Sequence, residues 1–292
     1  MGHDHHHHHH AGDNLKIAFF LNLGFTVLEI FGGFWTNSIA ILSDAVHDLG
    51  DSLSLGLAWY FERLSAKTKD SRQTYGYRRY RLLGGLITGL VLLAGLGFVL
   101  WHSVQRLFEP AEVKVSGMIG LAILGVLFNG AAVLRVRQGS SLTEKIVSWH
   151  LIEDTLGWVA VLIGAGIMAI WDLPIVDPLL SIGISLIILW NVGKSLRQVL
   201  SVFLQTTPEG FDLEAFVERA QEIEGVESLH DIHCWSIDGE SHVLSAHVVG
   251  EGDQAWSRKI REEIRGLLDE DVFENVTLEV ESGQQDCPQD HS

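Results

Sequence analysis

Residues Ser43–Ser52 read SDAVHDLGDS. They sit inside an apolar run long enough to cross a bilayer, yet they carry Asp44, His47, Asp48 and Asp51. Ionisable side chains are costly in hydrocarbon. Those that persist there face a bundle interior or a water-filled cavity and mark ion pathways. His47 and Asp51 are four residues apart, so on a helix they are neighbours on one face. The same pair, His150 and Asp154, recurs in WHLIEDTLGW, residues Trp149–Trp158. Two helices facing each other through these pairs supply two imidazole nitrogens and two carboxylates. Four ligands of that kind suit zinc. Asp44, three residues before His47, is placed to orient its ring. Asp48 and Glu153 point about 100° away from their neighbours and are expected to pair elsewhere or line a water path.

Outward from these motifs, six stretches have the roughly 20 mostly apolar residues a spanning helix needs. They run from about Leu15 to Trp35, Ser38 to Phe61, Arg81 to Phe108, Val115 to Val136, Thr143 to Ile170 and Ile175 to Leu204. In the first span Asn22 reads as an interhelical hydrogen bonder. The glycines at 84, 85, 89, 95 and 97 read as points of close helix packing. Basic residues gather between spans two and three (Arg63, Lys67, Lys69, Arg72, Arg78, Arg79, Arg81) and between four and five (Arg135, Arg137, Lys145). The positive-inside rule then places both termini in the cytoplasm of a multi-pass protein of the cell (inner) membrane.

The charge divides as sharply as the hydropathy. The 292 residues carry a net charge of −17. From Pro208 onward there are 22 acidic residues against 5 basic ones, while the preceding part balances. An acidic soluble domain is a poor partner for nucleic acid and a good one for cations. The two cysteines, Cys234 and Cys287, make no disulfide framework and fit a reducing compartment. Three domains are expected: a His-rich tail over 1–14, native or a purification tag; a six-span transmembrane domain over 15–207; and an acidic cytoplasmic domain with a short tail over 208–292.

In that last part, DLEAFVERAQEI has helical spacing, and VESLHDIHCWSI and SHVLSAHVVG alternate as paired strands around the turn signal DGE. AWSRKIREEIRGLL is helical again and NVTLEVE is a last strand. The fold class is an α-helical membrane protein, a six-helix bundle followed by a cytoplasmic α+β domain of order αββαβ. His230, His233, His242 and His247 fall on the strands. In a regular strand His230 and His233 point to opposite faces. Cys287 and His291 form a further, sparse pair in the tail.

The two His-x-x-x-Asp motifs, six spans, YGYRR in the basic loop, VDP opening the sixth span and the αββαβ domain together resemble the cation diffusion facilitator family. The resemblance covers nearly the whole chain after the His-rich start, and the paired motifs resemble its zinc branch. It implies a transport site of His47, Asp51, His150 and Asp154 in a homodimeric, proton-coupled exporter. By position it also nominates His233, His247 and Glu281, with His230 as an alternative, as metal ligands of the cytoplasmic domain. Where some relatives carry a histidine near the last strand, this chain has Glu274 and Glu279. Asp70 stands in the loop where some relatives bind a second metal, but no histidine accompanies it, and no site is expected there.

Without a cation, Asp51 and Asp154 leave two carboxylates uncompensated in a low-dielectric medium. Either Zn²⁺ or protons on the histidines neutralise them, and ligation requires neutral imidazole, so the two compete. The expected function is Zn²⁺/H⁺ antiport by alternating access, with zinc as substrate and candidate regulatory ligand and no other cofactor. Partners are Zn²⁺, protons, the lipid bilayer and a second copy of the chain. The alternatives are a divalent-metal channel, which would conduct without coupling, and a membrane-bound sensor, which would bind without flux. An enzyme is not expected: HLIED ends in Asp154 where an inverted zinc-protease motif needs histidine.

Overall fold

A computed structural model describes residues 8–65, 67–136 and 142–282; the side chains of 8–18, 62, 135–136, 142–150 and 282 fall outside that description. The chain divides into two compact units, one of Met1–Phe61 and Gly84–Leu196, the other of Glu62–Leu83 and Arg197–Ser292.

The first unit is helical. Its elements are α1 (His8–Thr36), α2 (Ile39–Ser65), α3 (Tyr80–Phe108), α4 (Val115–Val136), α5 (Leu142–Trp171) and α6 (Val176–Phe203), the last turns of α2 and α6 and the first of α3 belonging to the second unit. Among the described residues, five helices are long and apolar enough to cross a membrane: α1, α3, α4, α5 and α6. The helix α2 is not one of them. Its 27 residues extend about 40 Å, which is ample, but Asp44, Asp48 and Asp51 lie within it.

The turn between α1 and α2 is held by Asn37, whose φ of 59° is a left-handed conformation that Asn tolerates better than most residues. Ser38 then caps α2, its Oγ accepting from the Ile41 amide at 3.2 Å. One apolar core joins Phe25 of α1, Ile41 of α2, Met118 and Ala122 of α4 and Trp158 and Val161 of α5. A Cβ at Gly125 would stand 2.1 Å from the Trp158 ring, so the glycine on α4 makes room for the indole. A second core packs Leu92 and Leu96 of α3 on Ile188, Val192 and Leu196 of α6. Gly89 opens that seam, since a Cβ there would meet Leu196 at 2.5 Å. The packing expectation fails at Gly97, which has nothing within 4 Å.

The second unit contains α7 (Leu213–Gln221), β1 (Val226–Ser236), β2 (His242–Gly250), α8 (Gln254–Arg265) and β3 (Phe273–Ser282). Asp212 and Asp253 cap the two helices, each accepting from first-turn amides. The sheet order is β1-β2-β3, antiparallel between β1 and β2 and parallel between β2 and β3. The parallel pair is bridged by α8, as a crossover requires. Phe216 and Ala220 of α7 and Ile260 and Ile264 of α8 pack on Leu229, Leu244, Ala246, Val248 and Leu278. These residues occupy one face of the sheet. The alternating positions put His247, Glu279 and Glu281 on the other.

The basic loop after α2 also belongs to this unit. Asp70 organises its turn: Oδ1 accepts from the amides of Arg72 and Gln73, and Oδ2 from the Tyr77 hydroxyl at 2.7 Å. The Tyr77 hydrogen bond, with those of Gln73 and Arg72, holds the Asp70 carboxyl below its usual range. Arg78 pairs bidentately with Glu274 and donates to Ser241 at 2.8 Å, and Arg79 Nε donates to the Ile237 carbonyl at 3.0 Å. The YGYRR segment thereby grips the turn between β1 and β2 and the start of β3.

Candidate metal centre

The α2 motif lies beside Asp154 of α5. His47 Nε2 is 3.8 Å from Asp51 Oδ2 and 3.6 Å from Asp154 Oδ1. Three of the four residues expected at the transport site thus converge on a single imidazole nitrogen. His150, one turn before Asp154 on α5, lies outside the described side chains. The three line a cavity of about 640 Å³ bounded by α2, α3, α5 and α6.

The other acids of the two motifs divide. Asp44 is buried, lines the same cavity, and puts Oδ1 3.7 Å from where a Gly157 Cβ would stand on α5. Glu153 is exposed and also lines the cavity. Asp48 is buried away from the cavity lining, next to the fully buried Glu29 of α1. Asn22 bridges α1 to α2, donating to the Asp48 carbonyl at 3.1 Å and to Ser52 Oγ at 3.0 Å.

In the second unit a bulge decides which histidines meet. Asp231 adopts φ 48°, and one extra residue enters β1 between His230 and His233. His230 pairs with His247 and His233 with Ser245. Since Ser245 and His247 share a face of β2, so do His230 and His233, contrary to the alternation of a regular strand. His230, His247 and Glu281 place ligand atoms within 4.8 Å of one another. Glu281 Oε1 is 2.9 Å from His247 Nδ1, and its Oε2 is 3.6 Å from His230 Nε2. Of the nominated trio, then, His247 and Glu281 come together with His230. His233 is 64% exposed and turns to Asp231, Nε2 to Oδ1 at 2.9 Å. Asp231 Oδ2 and Glu279 Oε2 each lie 3.7 Å from His247 Nε2.

Asp231 was not singled out by sequence reasoning; its signal is an Asx residue between two histidines, which tolerates the left-handed backbone of a bulge. His242 faces elsewhere, its Nδ1 3.2 Å from Ser236 Oγ and its ring against Phe273. Burial pushes the Cys234 thiol up to about 11, which leaves it protonated and inert near neutral pH. Cys287 and His291 lie outside the described residues.

Residues 15–204 match the family model described as the cation efflux transmembrane domain, and residues 208–282 match that of the cation efflux protein cytoplasmic domain. The chain belongs to the cation efflux family. It is 30% identical to the cadmium, cobalt and zinc/H(+)-K(+) antiporter of Bacillus subtilis over 97% of this chain and 92% of that protein. It is also 30% identical to the metal cation efflux system protein CzcD of Cupriavidus metallidurans, over 96% and 90% of the two chains. The zinc transporter ZitB of Escherichia coli is 28% identical over 96% and 91%.

Proposed function

We propose that this cation efflux protein is a Zn²⁺/H⁺ antiporter whose transport site is His47, Asp51, His150 and Asp154. The observation that carries the reading is the approach of His47 to carboxylates of both α2 and α5 at the wall of a cavity. Two carboxylates and two neutral imidazoles compensate one divalent cation, and doubly protonated imidazoles compensate the same carboxylates when the metal leaves. An unloaded, unprotonated site retains uncompensated charge in a poor dielectric, which disfavours empty transit. Transport and proton return are coupled for that reason.

Six helices span the membrane in this reading. The acids of α2 are tolerated because they face the cavity and the neighbouring helices rather than lipid. The cavity runs from His47 past Ser54, Thr88 and Ser195, towards the end of the unit where α2 finishes and α3 begins. The basic residues between those helices put that end in the cytoplasm of a cell (inner) membrane protein, with both termini on the same side. Metal then enters from the cytoplasm and is released on the far side, the direction carried by the word efflux in the CzcD relative's name. The 208–292 part is a cytoplasmic domain of a homodimer that binds regulatory zinc through His230, His247 and Glu281, with His233 close by.

The deciding experiment is zinc flux in proteoliposomes with and without an imposed pH gradient. An antiporter accumulates zinc against its gradient when protons run the opposite way. Flux that ignores the pH gradient would make the protein a channel, and saturable binding with no flux would make it a sensor.

A further inference from the structure

The VDP motif at the start of α6 has no part in ligation, yet its aspartate is among the most completely buried carboxylates described. Asp177 is 0% exposed, as are Ser38 and Ala40 beside it. Its partners are at the other end of α2 from the basic loop. Oδ1 accepts from Ser38 Oγ at 2.5 Å and from the Ala40 amide at 3.2 Å; Oδ2 accepts from the Ile39 amide at 2.8 Å. The first amides of a helix have no partner within it and carry its positive end. One carboxylate at the head of α6 thus satisfies the head of α2. Arg106 of α3 closes the arrangement. It donates to the Asn37 carbonyl and side-chain oxygen, both at 2.6 Å, and stands 3.9 Å from Asp177 Oδ2.

The contacts continue down the same face of α6. Ser181 Oγ accepts from Ser103 of α3 at 2.8 Å, and Ser185 Oγ is 2.8 Å from Ser43 of α2. Asp177, Ser181 and Ser185 are spaced by four, so they form one stripe, and all three are fully buried. Ser43 is itself one turn before His47. The head of α2 is therefore fixed axially by three bonds, and its rotation is fixed again next to the imidazole.

We propose that Asp177 is a positioning residue for the metal ligands of α2: by fastening the first turn of that helix to α6, it sets where His47 and Asp51 meet Asp154. The inference rests on the transport-site reading above. Ile39 precedes His47 by eight residues, about 12 Å of helix, and the lever between them is stiff. A helix that rotates or slides at its head carries both ligands off the Asp154 carboxylate.

The test uses full-length protein in detergent with Co²⁺, whose visible absorption reports tetrahedral coordination. The signal lost in Asp51→Ala and in Asp154→Ala defines the membrane site against metal held elsewhere in the chain. Asp177→Ala is expected to weaken Co²⁺ binding at that site about 10- to 100-fold, the usual cost of removing a ligand's support, and to alter the band shape. Asp177→Asn keeps one acceptor and is expected to restore part of both. If Asp177→Ala does not fold, Asp177→Asn and Ser185→Ala decide the matter, each with a smaller loss expected. Folded variants with wild-type affinity and spectrum would overturn the positioning role. If Asp51→Ala and Asp154→Ala themselves leave the spectrum unchanged, the transport-site reading has failed instead, and with it this one.

Discussion

Asp154 of α5 places Oδ1 3.6 Å from Nε2 of His47 on α2, so an imidazole and a carboxylate on separate helices meet at one point of the cavity wall. In the proposed site neither helix assembles the donor set alone, since each would contribute one imidazole and one carboxylate at i, i+4 spacing. Asp51→Ala or Asp154→Ala is expected to abolish zinc flux while leaving membrane insertion intact. On the proposed assignment each removes a ligand and half the compensating charge. Near-normal flux in either purified variant, reconstituted at equal density, would sink the four-ligand assignment.

In the proposed site, ligation by His47 and His150 requires their neutral form. Zinc binding at the membrane site should therefore weaken as pH falls through the histidine range and should release protons when it occurs. Calorimetry in two buffers of different ionisation heat measures that release. The proton count attributable to the site is the difference between the wild-type chain and Asp51→Ala, which cancels histidines elsewhere. A difference of zero would contradict antiport.

The paired motifs, their helical spacing and the break between apolar and acidic halves were legible because each is local: periodicity and charge are read within one element. What joins distant elements was legible only where both partners carry ionisable side chains, as His47 and Asp154 do. The partners of Asp177 are backbone amides and a serine 137 to 139 residues away, and an amide leaves no mark in a sequence. The strand histidines are a different case, since His233 stands as a candidate with His230 as its alternative. Alternation assumes a regular strand, and the single left-handed residue Asp231 shifts the register, bringing His230 into the cluster where His233 was nominated. Gly97 shows the converse limit: a small residue on a membrane helix permits close packing without proving that anything approaches.

Arg78 and Glu274 join the YGYRR loop to β3. The Arg78 hydrogen bonds, aided by that from Ser241, hold the Glu274 carboxyl below its ordinary range. A depressed carboxylate stabilises the fold above its unfolded pKa and loses that contribution as pH falls through the lower folded value. The Glu274 side chain is 39% exposed, so solvent screening limits the pair to about 1 kcal/mol or less. A double-mutant cycle with Arg78→Ala and Glu274→Gln, read by thermal unfolding, should show coupling of that size at pH 7. The coupling should shrink below about pH 4.5, where the unfolded carboxylate begins to hold its proton. Coupling that is unchanged at pH 3 would mean that packing, not charge, joins the two segments.

The acidic domain carries the whole net charge of the chain, −17 from Pro208 onward. Two copies in a dimer repel at low salt, and the repulsion is screened as salt rises. Zinc at the His230, His247 and Glu281 cluster adds positive charge to a face that already holds Asp231 and Glu279. It is therefore expected to draw the two copies closer and stabilise them, with the largest change at low salt. A spin label on each copy gives the distance with and without zinc across a salt series. His247→Ala should erase the response, because that ring touches every acid of the cluster; His233→Ala, exposed and outside the trio, should reduce it less. A distance that ignores zinc at every salt concentration would make the domain a constitutive dimerisation unit. A response that survives His247→Ala unchanged would place the regulatory metal elsewhere.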